Sequence, residues 1–118
     1  MVAIQTQDLI GAALDWAVAK CEGEDYLPET IFDGIGMEHA ATRYSTDWAQ
    51  GGPIINREAH NLFKHNGGTE WCCACNVPRD GYTAIVTADG PTPLIAAMRC
   101  FVASKLGPTV EVPEELVP

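Results

Sequence analysis

Thr92-Pro-Leu-Ile-Ala-Ala-Met-Arg-Cys-Phe-Val-Ala-Ser-Lys-Leu-Gly107 is a helix that carries its own start and stop signals. Thr92 supplies a side-chain oxygen for the first free amides, and Pro93 stands at the first helical position, where a missing N–H costs nothing. Leu94, Ile95, Met98, Phe101, Val102 and Leu106 recur at three- and four-residue steps until Gly107-Pro108 stops the run. Upstream, Thr69-Glu-Trp-Cys-Cys-Ala-Cys75 and Tyr82-Thr-Ala-Ile-Val-Thr-Ala88 are rich in branched, aromatic and thiol side chains. With Asp80-Gly81 between them they predict an antiparallel hairpin.

A second helix is predicted over about 7 to 21, from the spacing of Leu9, Ile10, Ala13, Leu14, Ala17, Val18 and Cys21, with Thr6 as its cap and Gly23 as a left-handed stop. Residues 26 to 43 hold Pro28, Gly34 and Gly36 without a sustained period, so they read as an irregular connection with a helical turn near Met37 to Thr42. Gly51-Gly52-Pro53 reads as a reversal of the chain, after which Pro53 opens a short helical or extended piece through Glu58. Asn66-Gly67-Gly68 reads as a further turn. Residues 110 to 117 are an extended arm or an edge strand limited by Pro113. These elements predict an α+β fold over 1–118 as a single domain: two main amphipathic helices packed on a small antiparallel β-sheet. A lone hairpin is barely stable, so a third strand or a partner subunit is expected, and with it a homo-oligomer.

The 118 residues include 7 basic and 16 acidic side chains, a formal charge of −9. Such a surface repels a phosphate backbone, which argues against direct nucleic-acid binding. The acids fall in small groups (Glu22, Glu24, Asp25; Glu114, Glu115) rather than in the long blocks of a DNA mimic. No apolar run is long enough for a membrane span and no export signal is visible, so a soluble intracellular protein with no membrane partner is expected. Five cysteines, an odd number, then read as reduced thiols.

Cys72 and Cys75 have a C-x-x-C spacing, with His60 and His65 upstream. On a strand, however, Cys73 and Cys75 face one side and Cys72 the other, so no metal site and no cofactor are predicted. Asp47 with Glu58, or His60 beside Glu58, has the groups for acid–base work, yet no nucleophile elbow, zinc helix, P-loop or dinucleotide fingerprint is present; no enzyme and no catalytic residues are predicted.

Ligand capture suits Tyr44-Ser-Thr-Asp-Trp-Ala-Gln-Gly-Gly-Pro-Ile-Ile-Asn-Arg-Glu58 better. Trp48 can stack on a base, the Gly51 and Gly52 amides with Arg57 can hold phosphate, and Thr46, Asp47 or Gln50 can bond ribose or base edges. Thr92 and Arg99 would contribute if the last helix packs alongside.

The segment Ser45-Thr-Asp-Trp-Ala-Gln-Gly-Gly-Pro-Ile-Ile55 with Arg57-Glu58 resembles the NinX-like proteins of tailed phages and prophages. So do Leu14-Asp-Trp-Ala-Val-Ala-Lys-Cys-Glu-Gly23, Gly90 through Gly107, and Val110-Glu-Val-Pro-Glu-Glu-Leu116, in the same order. The family's usual glutamate before the arginine is Asn56 here. The resemblance covers about half the chain and implies a small phage accessory protein in the host cytoplasm, from a family without an agreed biochemical role; it supplies no catalytic residues. Joined to the ligand-capture residues, it leads to the expectation of a binder of a small anionic, nucleotide-like ligand, a sponge for a host immune signal. The alternative is an acidic protein–protein inhibitor of a host factor.

Overall fold

The computed structural model describes residues 1–65, 68 and 70–118. In chain order the elements are β1 (Val2–Gln5), α1 (Gly11–Glu22), β2 (Ile31–Phe32), β3 (Glu38–His39), α2 (Trp48–Glu58), β4 (Ala59–Lys64), β5 (Trp71–Arg79), β6 (Tyr82–Gly90), α3 (Pro93–Leu106) and β7 (Thr109–Val112). The strands form three antiparallel sheets, β4-β5-β6, β1-β7 and β2-β3, so the expected α+β class holds.

Helix α3 is the centre of the molecule. Thr92 Oγ1 accepts from the Ile95 amide at 3.1 Å, with Pro93 in the first turn, as the sequence requires. Leu94 through Met98 and Cys100 through Val102 are all buried, so α3 is apolar nearly all round rather than amphipathic. Such a helix is stable only when wrapped, and β4, β5, β6, α1 and α2 all pack against it.

The predicted hairpin is present as β5 and β6, paired from Trp71↔Gly90 to Arg79↔Tyr82 around Asp80-Gly81. The third strand is β4, from the chain itself, which removes the reason the sequence offered for a second copy. Of the expected Asn66-Gly67-Gly68 turn and of Thr69, only Gly68 lies among the described residues. The C-terminal arm is a strand, β7, and it pairs with the unforeseen β1 from Val2↔Val112 to Gln5↔Thr109.

Helix α1 ends on Gly23 in the left-handed region (φ 72°), as expected, but begins at Gly11 without a side-chain cap. Thr6 is used elsewhere: its buried hydroxyl donates to Gly107 O at 2.7 Å and its amide to Pro108 O at 2.8 Å, tying the amino terminus to the end of α3. From α1, the buried Asp15 carboxylate accepts from the Ser45 amide at 2.8 Å and anchors the segment entering α2. Burial pushes the Asp15 pKa above its usual value, and the neighbouring Ser45 only partly offsets this. A folded pKa above the unfolded one means that charged Asp15 opposes folding at neutral pH, with stability gained as pH falls toward 3.8. Asp15→Asn, whose oxygen still accepts from Ser45, should therefore melt at or above the wild-type temperature at pH 7. Asp15→Ala leaves that amide unpaired and should cost about 1–3 kcal/mol in denaturant titrations.

Two segments differ from expectation. Residues 26 to 43 contain no helical turn near Met37 to Thr42 but the small hairpin β2-β3. Gly51-Gly52-Pro53 is not a reversal: all three residues lie inside α2. Pro53 removes one helical hydrogen bond, yet the helix is held from outside its own sequence. Asp47 caps it by accepting from the Ala49 amide at 2.9 Å, and Ile54 is buried in the core. Gly51 lies where a Cβ would meet Leu94 Cδ1 at 2.6 Å and the Tyr44 carbonyl, so only glycine lets α2 come this close to α3.

Candidate functional site

The residues expected to form a nucleotide cradle are distributed around α2 and do not converge. Trp48 and Arg57 are nine positions apart on one helix, about two and a half turns, which places them on opposite faces and roughly 13 Å apart along the axis. Trp48 is 54% exposed and available to a partner. Arg57 is engaged: it grips Glu22 through Nη2 (2.7 Å) and Nη1 (3.3 Å), bonds Glu58 through Nε (2.8 Å), and lies over the Phe101 ring at 5.7 Å. Lys105 bonds the same Glu58 at 3.2 Å, so this network staples together the ends of α1, α2 and α3. Arg57, first of all, with Lys105 holds the Glu58 carboxyl below its ordinary range. Asp47, at the opposite end of α2, is too far from Glu58 to share a proton with it.

The other predicted contacts are likewise occupied. The Gly51 amide donates to Asp47 O at 2.9 Å. Gly52 is inside the helix and half-buried. Gln50 Oε1 accepts from the Arg43 amide and its Nε2 donates to Ala41 O, both at 2.8 Å, which stitches the entering chain to α2. Thr92 caps α3, and the guanidinium of Arg99 donates to the carbonyls of Leu9 (2.7 Å) and Asp89 (2.8 Å). Thr46 is exposed just before the start of α2.

The most prominent exposed chemistry is the β2-β3 hairpin, which the sequence reading passed over. Asp33 organises it. One carboxylate oxygen accepts from the amides of Ile35 (3.0 Å) and Met37 (2.9 Å), and the other meets His39 Nε2 at 3.1 Å. The base is clamped by Thr42, whose amide and hydroxyl both bond Leu27 at 2.8 Å, and by Arg43, which donates to Pro28 O at 2.7 Å. On this frame Ile35 is 87% exposed, Phe32 67% and Met37 61%, and Ile31 lies beside them. Large apolar side chains held out by an ordered turn mark an interaction surface.

Beside the hairpin run two adjoining grooves of about 540 and 310 Å³. Glu22, Glu24, Asp25 and Glu38 line the larger, with Tyr44; Glu24, Asp25, Asp33, Leu27 and Ile31 line the smaller. Among the described residues no lysine or arginine lines either groove, and His39 lines both. Their field disfavours phosphate and favours a cationic side chain.

The His39 contact, then the Met37 amide, hold the Asp33 carboxyl below its usual range. A depressed folded pKa gives stabilisation that is complete above 3.8 and is lost as pH falls through the lowered value. The Ile35 and Met37 amide resonances should thus move together as pH falls below 3.8. In Asp33→Ala both amides should exchange with solvent faster at neutral pH.

Among the described residues, two groups of side chains could hold a metal. Cys73, Cys75 and Cys100 bring three buried sulfurs within 4.8 Å of one another, while His65, Cys72 and Asp89 do the same for mixed ligands on the more exposed side. Strand alternation is obeyed, with Cys73 and Cys75 together and Cys72 in the other group. The third thiol, Cys100, comes from α3 and could not be paired from local spacing. His60, the other histidine considered as a ligand, has a side chain outside the described set.

Fold and surface together define a small acidic α+β protein whose outward chemistry is an apolar hairpin set among carboxylates. Residues 5–105 match the sequence profile of a family described as "Bacteriophage P22, NinX", and the chain belongs to that phage family. A search of curated proteins gave no match. Among the described residues no helix is long and apolar enough to cross a membrane.

Proposed function

We propose that this phage protein acts by protein–protein docking: the 31–39 hairpin inserts its apolar tip into a host protein, and the adjoining acidic grooves take up lysine or arginine side chains of the same partner. The single observation that carries this reading is the preorganised display of Phe32, Ile35 and Met37 on a turn already ordered by Asp33. Little conformational entropy is then lost on binding. Charge selects the partner: a second copy of the chain, also at −9, would be repelled, whereas a basic surface is attracted and steered.

A nucleotide sponge built on Trp48, Gly51, Gly52 and Arg57 would require one ligand to reach two faces of α2 and to displace Glu22 and Glu58 from Arg57, and nothing in the site geometry favours it. Capture from host extract by the immobilised protein tests the docking reading. One stoichiometric basic partner is expected, bound at low ionic strength and released as salt rises. A thermal-shift screen against nucleotides runs alongside. Strong stabilisation by a nucleotide, lost in Trp48→Ala and Arg57→Ala, together with no salt-sensitive protein partner, would overturn the docking reading and restore the sponge.

A further inference from the structure

The geometry of Cys73, Cys75 and Cys100 points to a buried three-sulfur site for a soft monovalent metal ion, Cu(I), independent of the docking surface. The trio unites two elements: β5 presents Cys73 and Cys75 on one face, and α3 lowers Cys100 onto them. All three are essentially inaccessible to solvent. Cys100 Sγ lies 3.2 Å from Cys75 Sγ and 3.2 Å from the Val86 carbonyl. The sulfur–sulfur approach is a hydrogen bond, with Cys100 donating to Cys75, so the thiols already face one another.

The three sulfurs lie close enough to share an ion after a small adjustment. Around one metal at about 2.3 Å they would stand roughly 4 Å apart; the trio lies within 4.8 Å, and Cys75 and Cys100, now at 3.2 Å, would have to part slightly. The donor set chooses the metal. Zinc in a structural site takes four ligands, and burial excludes the water that would complete its shell, whereas soft thiolates select Cu(I), which accepts three.

Loading breaks three S–H bonds and forms three S–Cu bonds. Three protons leave to solvent, copper stays Cu(I), and no electron moves.

The test is anaerobic titration of the reduced protein with Cu(I), supplied as its acetonitrile complex against a chromogenic Cu(I) chelator, both to the folded chain and during refolding. One ion per chain is expected, with sulfur-to-copper charge-transfer absorption, three sulfurs in X-ray absorption and a raised melting temperature. Cys100→Ala and, separately, Cys73→Ala should weaken binding at least about 100-fold, more than the loss of an outer-shell contact. Cys72→Ser, which removes the thiol of the exposed His65–Cys72–Asp89 group, should leave it unchanged. Circular dichroism establishes which variants fold, and either folded triad variant decides the question. Failure of the wild-type protein to bind Cu(I) by either route, or binding that survives in a folded triad variant and disappears in Cys72→Ser, would overturn the assignment.

Discussion

Replacing Phe32 and Ile35 together by serine should abolish partner capture while leaving the melting temperature almost unchanged. Both side chains lie outside the core, on a hairpin whose substantial packing is with itself, so little native contact is lost. Surface changes of this kind stay within about 0.5 kcal/mol of neutral. At a docked interface the same truncations remove anchors, each contributing about 2 kcal/mol or more, or roughly 30-fold in Kd. The double variant should therefore bind at least about 100-fold more weakly in an equilibrium assay. Glu24→Lys with Glu38→Lys should instead act mainly on the association rate and flatten its salt dependence, since these carboxylates line the groove beside the hairpin. A wild-type Kd in the serine variant would remove the hairpin from the interface.

The second large effect is expected at Gly51. If its backbone were a phosphate cradle, Gly51→Ala would spare the fold and cost only ligand affinity. The added Cβ instead collides with Leu94 Cδ1 at 2.6 Å and with the Tyr44 carbonyl, and a backbone atom cannot swing aside. Alanine gains up to about 1 kcal/mol of helix propensity over glycine, but overpacking costs typically about 1–3 kcal/mol and here pushes α2 away from α3. Gly51→Ala should be destabilised by about 1–2 kcal/mol, and Gly51→Val by more, measured by urea unfolding. Gly52, whose Cβ would meet nothing closer than Trp48 at 3.8 Å, serves as the control: Gly52→Ala should be neutral or stabilising.

These two positions also show how far the sequence can be read. Helix α3 was legible because its signals are local: Thr92, Pro93 and Gly107 stand at its ends, with the apolar residues between. What the residues did not reveal was that so many small side chains, Ala96 and Ala97 among them, let α3 be wrapped on nearly every side. The β5-β6 hairpin followed from Asp80-Gly81 and branched flanks. Gly51-Gly52-Pro53 misled because a helix through these residues depends on Asp47, Ile54 and Leu94, and Leu94 lies 43 positions beyond Gly51, where no local rule can see it. The same reason hid the thiol trio, since strand alternation grouped Cys73 with Cys75 but only the docking of α3 brings Cys100 to them.

The expected cradle residues are dispersed for a different reason. Trp48, Arg57 and two glycines are close in sequence, and closeness was read as convergence; a helix turns such neighbours to different faces, with Gly51 against α3 and Arg57 against Glu22. A signal for the hairpin did exist, in Asp33-Gly34 flanked by Ile31, Phe32, Ile35 and Met37. It was obscured by strands only two residues long, too short to show alternation.

Site-specific photo-cross-linking in the bacterial host tests the docking claim most directly, with a benzophenone side chain placed in turn at positions 32, 35 and 48. The account predicts one discrete protein adduct from 32 and 35, to the same basic partner, diminished by salt in extract and absent at 48. Adducts confined to position 48, or none at 32 and 35 while the protein remains active in the infected cell, would contradict it.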